Sequence, residues 1–195
     1  MSSVMRAGHW CVQTGVSRGQ ARGRQMKLRI AGYTKESVVD GPGIRFVIYA
    51  QGCPHGCAGC HNPETWDFNG GEEIAVEEIL SLIRGTQLLQ GVTFSGGEPF
   101  AQAEAMAALA EQVKGMGLDI VTYTGYTFEE LLKMSRDARD VKLLLERSDI
   151  LVDGLYIESE RDLSVPFRGS TNQRFLDVEA SLTVGRAVDS AGCRC

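Results

Sequence analysis

The chain has 195 residues, of which 43% are hydrophobic and 23% charged, and its net charge is −5. That is the balance of an ordinary soluble globule, long enough for one domain with its own core. No apolar run approaches the roughly 18 residues of a membrane span, and nothing folded accompanies the basic start to suggest nucleic-acid binding.

Residues 1–25 contain four arginines (Arg6, Arg18, Arg22, Arg24) and no acid, so the remainder carries −9. An Arg-rich, acid-free start has the composition of a transit peptide. Yet Gly8, Gly15, Gly19 and Gly23 interrupt any amphipathic helix, and there is no secretory apolar core. The expectation is a disordered basic segment over 1–25, a working domain over 26–186, and a frayed tail over 187–195 that includes Cys193 and Cys195. The expected location is the cytoplasm.

Phe46-Val47-Ile48-Tyr49-Ala50 predicts an apolar strand leading straight into a cysteine loop. There Cys53, Cys57 and Cys60 follow one another with three and then two residues between them, which gathers three thiols on one tight loop. Iron–sulfur clusters are usually held by four cysteines, so a cubane gripped by three would leave one iron open for chemistry. A closed Cys3His zinc site using His55 or His61 is the alternative, because thiolates suit both metals. A disulfide is the third reading, and it fits poorly with a chain of cytosolic character. The spacing alone leaves these open.

Farther on, Ile74, Ile79, Leu82 and Ile83 recur at helical spacing. The run from Val92 to Ser95 predicts a buried strand that stops at Gly96-Gly97-Glu98-Pro99. Adjacent glycines let a ligand approach the backbone, Pro99 stiffens the exit, and Glu98 offers an acceptor to a cationic group. Read plainly, the same residues are a turn opening a helix from about Gln102 to Lys114. Leu118–Tyr123 predicts a third strand, Phe128–Met134 and Ala138–Arg147 two helices, and Ile150–Val152 a fourth strand. This alternation predicts an α/β fold, a parallel sheet with helices on its outside.

Ligands of such sheets sit beyond the carboxyl ends of the strands. The cysteine loop, Ser95–Glu98, Tyr123–Gly125 and Asp153 all fall there. Trp66 is expected to pack under the cysteine loop. Arg45 and Arg168 are expected on the surface or paired with carboxylates.

Taken together, the three-cysteine loop and the Ser95-Gly96-Gly97-Glu98 strand end resemble the radical S-adenosylmethionine (SAM) superfamily. The resemblance implies a partial, open (β/α) barrel in which three cysteines hold a [4Fe–4S] cluster and SAM chelates the fourth iron. An electron from the cluster then splits the sulfonium, giving methionine and a 5′-deoxyadenosyl radical. Carried over by position, Cys53, Cys57 and Cys60 become the cluster ligands. Ser95, Gly96, Gly97 and Glu98 would receive the amino group of SAM, Gly59 and His61 would lie against its adenine, and Asp153 would meet its ribose or cap the next element.

Two further stretches, Asp40-Gly41-Pro42-Gly43-Ile44-Arg45 and Cys60-His61-Asn62-Pro63-Glu64-Thr65-Trp66, are similar to the activating proteins of glycyl radical enzymes. Within that group, Tyr123–Thr127, Leu151–Gly154 and Phe167–Arg174 resemble the activators of anaerobic ribonucleoside-triphosphate reductases. The implied partner is an anaerobic ribonucleotide reductase, with flavodoxin or ferredoxin as electron donor. His61 after the third cysteine is instead as in activators of pyruvate formate-lyase, the alternative partner. A non-catalytic zinc-binding module is the reading from another class. No acid, base or nucleophile triad is expected, since radical abstraction needs none.

Overall fold

The structure, a computed structural model, describes residues 25–190. The expected disorder before Gln25 and the terminal Cys193 and Cys195 lie outside the described residues.

The described residues form one seven-stranded sheet: β1 (Lys27–Ser37), β2 (Arg45–Ala50), β3 (Glu72–Ala75), β4 (Gly91–Gly96), β5 (Asp119–Tyr123), β6 (Ile150–Asp153) and β7 (Arg174–Asp177). Their spatial order is β3-β1-β2-β4-β5-β6-β7. The middle four strands run parallel, with Val47 opposite Thr93, Val92 opposite Ile120 and Thr122 opposite Leu151. β1 and β3 on one side and β7 on the other are antiparallel additions. The sheet ends at β3 and β7 without closing, which is the open α/β form expected.

The helices are α1 (Val76–Arg84), α2 (Ala103–Gly115), α3 (Phe128–Met134), α4 (Arg139–Arg147) and α5 (Val178–Val184). Because side chains alternate across a strand, β5 and β6 serve two cores. Phe46, Ile48, Phe94, Ile120 and Leu151 point to the helices and pack with Met106, Leu109 and Leu144. Val121, Val152 and Phe175 point the other way into a smaller cluster joined by Tyr123 and Phe167. The second face is therefore only partly filled, and that is where a cleft remains.

The predicted helices and parallel strands fall within a residue or two of those observed, except that Ile74 belongs to β3 and the helix after it begins at Val76. A capping box opens α3, where Thr127 Oγ1 accepts from Glu130 N at 3.3 Å and Thr127 N donates to Glu130 Oε2 at 2.8 Å. The described part of the expected tail is not frayed. Asp177 N donates to Val188 O at 2.9 Å and Ser190 N to Phe175 O at 2.8 Å, so residues 188–190 run back along β7.

Candidate functional site

β2 delivers the chain to the cysteine loop, and buried polar groups tie down the base of that loop. Gln51 is buried and donates through Nε2 to Glu64 O at 3.1 Å and Asp67 O at 2.7 Å. Gly52 N reaches Thr65 O at 2.8 Å and Cys53 N reaches Trp66 O at 3.2 Å. Trp66 therefore supports the loop through its backbone while its side chain stays partly exposed. Within the loop Cys60 N donates to Cys57 O at 3.1 Å.

Cys53, Cys57 and Cys60 are free thiols, half-buried, and all three line one cleft of about 640 Å³. The disulfide alternative is thereby removed. Neither imidazole completes a Cys3His set. His55 Nε2 lies 2.9 Å from Glu98 Oε2, and His61 packs against Tyr156 with ring centroids 4.7 Å apart. Among the described residues no three His, Cys, Asp or Glu side chains close on a single ion. Three thiols on one wall, with both neighbouring imidazoles engaged elsewhere, fit a multi-iron cluster with an open iron better than a lone zinc. Burial pushes the Cys53 thiol up, with the Glu98 carboxylate and Cys57 adding to it, while the His55 and Gly56 amides pull it back.

Other loops at the carboxyl ends complete the cleft. Ser95, Gly96 and Gly97 leave β4 along it, Tyr123, Thr124 and Gly125 leave β5, and His61, Asn62 and Tyr156 stand beside the third cysteine. Val38–Asp40 and Leu163–Gly169 form its far lips. Several of those lip residues are apolar and exposed, Val38 at 68%, Val39 at 73% and Leu163 at 78%, so the cleft opens onto a surface that water solvates poorly.

Two expected contacts are placed differently. Glu98 does not line the cleft: it is fully buried and its carboxylate is used up by the loops around it. Oε1 accepts from Phe100 N at 3.0 Å and Thr124 Oγ1 at 3.0 Å, and Oε2 from Gly125 N at 2.9 Å and His55. A buried carboxylate needs such donors, since each lost bond strands a charge away from water. Glu98 thus binds the cysteine loop, the β4 exit and the β5 exit to one another. Gly59 also lies off the cleft wall, with φ +71°, where a Cβ would sit 2.7 Å from the Glu158 carboxyl carbon.

The paired glycines, besides lining the cleft, have a packing role that was not expected. A Cβ on Gly96 would meet Tyr49 Cα at 2.6 Å, and one on Gly97 would meet Gly52 O at 2.5 Å. Gly97 N donates to Ala50 O at 2.7 Å and Glu98 N to Gly52 O at 2.9 Å. Their missing side chains let the β4 exit lie flat against the start of the cysteine loop. Asp153 is a structural acid here, accepting from Phe128 N at 2.7 Å and pairing with Arg174 at 2.5 Å. Arg45 is wholly buried and pairs with Asp119. Arg168 lines the cleft, its Nη1 3.3 Å from Gln173 O. Sequence reasoning had singled out Asp40 and Phe167–Gly169 among the lip residues but missed Tyr156, Val38, Val39 and Leu163; the apolar character of the last three is the signal that pointed there.

Three thiols at the end of the first parallel strand of an open α/β sheet define a protein built round one iron–sulfur cluster. Residues 39–176 match the family model described as a 4Fe-4S single cluster domain. An anaerobic ribonucleoside-triphosphate reductase-activating protein of Haemophilus influenzae is 33% identical over 72% of this chain and 92% of its own length. The one from Vibrio cholerae is 36% identical with the same coverage. A pyruvate formate-lyase-activating enzyme of Clostridium pasteurianum is 40% identical, over 54% of this chain and 48% of that enzyme. The crystal structure of QueE from Escherichia coli aligns with a TM-score of 0.42 and 18% identity over 65% of this chain and 70% of that one. The chain belongs to the family of anaerobic ribonucleoside-triphosphate reductase-activating proteins. As a radical SAM enzyme of this family it uses a [4Fe–4S] cluster and SAM as cofactors.

Proposed function

We propose that this enzyme generates a glycyl radical on an anaerobic ribonucleoside-triphosphate reductase, acting in the cytoplasm with a flavodoxin or ferredoxin as electron donor. Cys53, Cys57 and Cys60 hold the cluster. Ser95, Gly96 and Gly97 face the methionine end of SAM and His61, backed by Tyr156, its adenine. Glu98 acts from behind, by setting the loops that carry these groups. When bound, the cluster and SAM supply the electron and the radical for hydrogen abstraction; the chain's own residues bind, orient and shield.

The observation that carries this reading is the cleft itself: three free thiols share it with the exposed apolar Val38, Val39 and Leu163, so it opens to the surface. A small substrate needs no such opening, whereas a loop of a large protein does. No helix among the described residues is long and apolar enough to cross a membrane.

Anaerobic reconstitution tests the chemistry. The protein should turn brown and take up about four irons per chain, as a cubane requires, and Cys57→Ala should lose both. Reduced protein with SAM should release methionine and 5′-deoxyadenosine, and a reductase added to it should show a glycyl doublet in electron paramagnetic resonance. Stoichiometric zinc with no cluster on reconstitution would sink the enzyme reading. The similarity to a pyruvate formate-lyase-activating enzyme favours that lyase as a second candidate partner. A radical on the lyase but not on the reductase would select it.

A further inference from the structure

Among the described residues that line the cleft, Arg168 is the only lysine or arginine and Asp40 the only aspartate or glutamate. Asp40 is already engaged, accepting from Ser37 Oγ. A guanidinium carries five N–H donors and keeps its charge at any ordinary pH. On Arg168, Nη1 makes one long bond, to Gln173 O at 3.3 Å, and Nε is shielded from water without an acceptor. A buried donor left unmet is destabilising, so this head group has room for an anion that the chain itself does not supply. The backbone around it is built to hold it in place. Phe167, just before it, has φ +59°, in the left-handed region that a residue with a side chain rarely adopts. Its carbonyl accepts from the Tyr123 hydroxyl at 2.9 Å, and its ring packs on Phe175 with centroids 5.7 Å apart. Just after Arg168, Gly169 N donates to Gln173 Oε1 at 2.8 Å, and Gln173 Nε2 donates to Gly154 O at 3.1 Å. Such strain persists only where the surroundings over-determine it, and it gathers at ligand sites.

We propose that Arg168 binds the carboxylate of SAM. This rests on the proposed function, in which SAM occupies this cleft. SAM brings a sulfonium, an ammonium and a carboxylate. The strand end Ser95–Gly97 takes the ammonium and His61 the adenine, which leaves the carboxylate as the group no residue has yet met. Arg168 is the cleft residue with unmet donors, so the two match. A carboxylate has two oxygens and about four acceptor sites, so one that chelates iron still has room for a charge-assisted bond from a guanidinium. A lysine at this position would supply the charge without the fork.

Full-length protein, reconstituted without oxygen and left unreduced so that SAM is not cleaved, is titrated in an anaerobic calorimeter. The two ligands are SAM and its decarboxylated analogue. Arg168→Gln should weaken SAM binding by roughly tenfold or more, the range for a hydrogen bond to a charged group. The decarboxylated analogue should bind wild type and R168Q equally, because it has nothing for the guanidinium to meet. Arg168→Lys should lose less for SAM and nothing for the analogue. Equal SAM affinity in wild type and R168Q overturns the inference and leaves the proposed function intact. An equal loss for both ligands also overturns it, since Arg168 then shapes the cleft without meeting the carboxylate. Should R168Q fail to take up iron, R168K decides by the same comparison of the two ligands. Failure of both variants to take up iron overturns the inference, because Arg168 is then needed for the cluster loop itself. A wild-type protein that takes up no iron, or that loads its cluster and binds no SAM, overturns the proposed function and the inference with it.

Discussion

The two ends of the parallel sheet each hold a fully buried charged side chain, Arg45 at one and Glu98 at the other, and they use it for opposite purposes. At the amino ends of the strands Arg45 is fully buried. Its guanidinium donates to Thr93 Oγ1 at 2.7 Å, to Pro42 O and Val92 O at 2.9 Å each, and pairs with Asp119 Oδ1 at 2.6 Å. Gly91 is a glycine because a Cβ there would collide with both members of this pair. At the carboxyl ends Glu98 is equally buried, but its partners are the loops that line the cleft. Both charges obey the same requirement, that an ion removed from water must have its donors or acceptors met. What differs is the cargo. Arg45 ties strand to strand, so its loss should cost stability; Glu98 ties loop to loop, so its loss should cost geometry at the thiols.

Replacing Arg45 gives the largest effect and the sharpest way to break that contrast. Arg45→Met strips donors from the Pro42, Val92 and Asp119 carbonyls and from the Thr93 hydroxyl, and leaves the Asp119 carboxylate without its partner. Asp119 is half-exposed and can be met by water, but each buried acceptor left without its donor costs about 1–3 kcal/mol, which urea denaturation of the apo protein would read directly. Below its melting temperature the variant should still take up its full iron and cleave SAM at the wild-type rate per cluster. A loss of SAM cleavage in folded R45M would mean that the two ends are mechanically one unit.

Gly97→Ala should show the converse. The new Cβ would meet the Gly52 carbonyl oxygen at 2.5 Å and the Ala50 oxygen at 3.0 Å. Both atoms are backbone, so the β4 exit must back away from the cysteine loop. Overpacking of this kind costs about 1–3 kcal/mol, less than the loss of Arg45. SAM cleavage should nonetheless fall by about tenfold or more, because each 1.4 kcal/mol of misplacement at the reacting atoms is a factor of ten. Comparing 5′-deoxyadenosine release per cluster with the urea midpoint would separate the two effects, and an alanine variant with normal release would put Gly97 on the structural side.

The difference between the ends also explains what could be read from the sequence. The cysteine loop, the parallel strands and the helices between them are local patterns, apolar runs closed by glycine or proline, and they were readable in order. β3 and β7, four residues each, and the long β1 with few buried positions carry too little apolar alternation to be read. They take their strand form from pairing with neighbours. The three thiols were plain because one short loop carries them. The inward turn of Glu98 was not, because it depends on His55, 43 positions away, and on Thr124 and Gly125. Of the two expectations for Arg45, surface or paired with a carboxylate, the pairing is the one found. Its full burial was not legible for the same reason: its acceptors come from the starts of β4 and β5, which only the sheet brings together.

The smallest effect belongs to an ion pair that flanks the carboxyl ends without touching the cleft. Arg174 on β7 bridges buried Asp153 and half-exposed Glu129 at the start of α3, the latter at 2.7 Å. The hydrogen bond from Arg174 holds the Glu129 carboxyl below its ordinary value. A depressed folded-state value means that the pair stabilises the protein above the ordinary carboxylate range and that this gain is lost as pH falls through the lowered value. Because Glu129 is open to solvent, the gain should stay under about 1 kcal/mol and shrink in high salt. Glu129→Gln should therefore lower the urea midpoint slightly at pH 7, and the deficit should shrink as pH falls and vanish once the folded-state carboxyl is itself protonated. Iron uptake and SAM cleavage should not change at either ionic strength. A deficit that does not shrink as pH falls would show that Glu129 contributes packing rather than charge. A loss of SAM cleavage would extend the loop-organising role of Glu98 outward to the edge of the sheet.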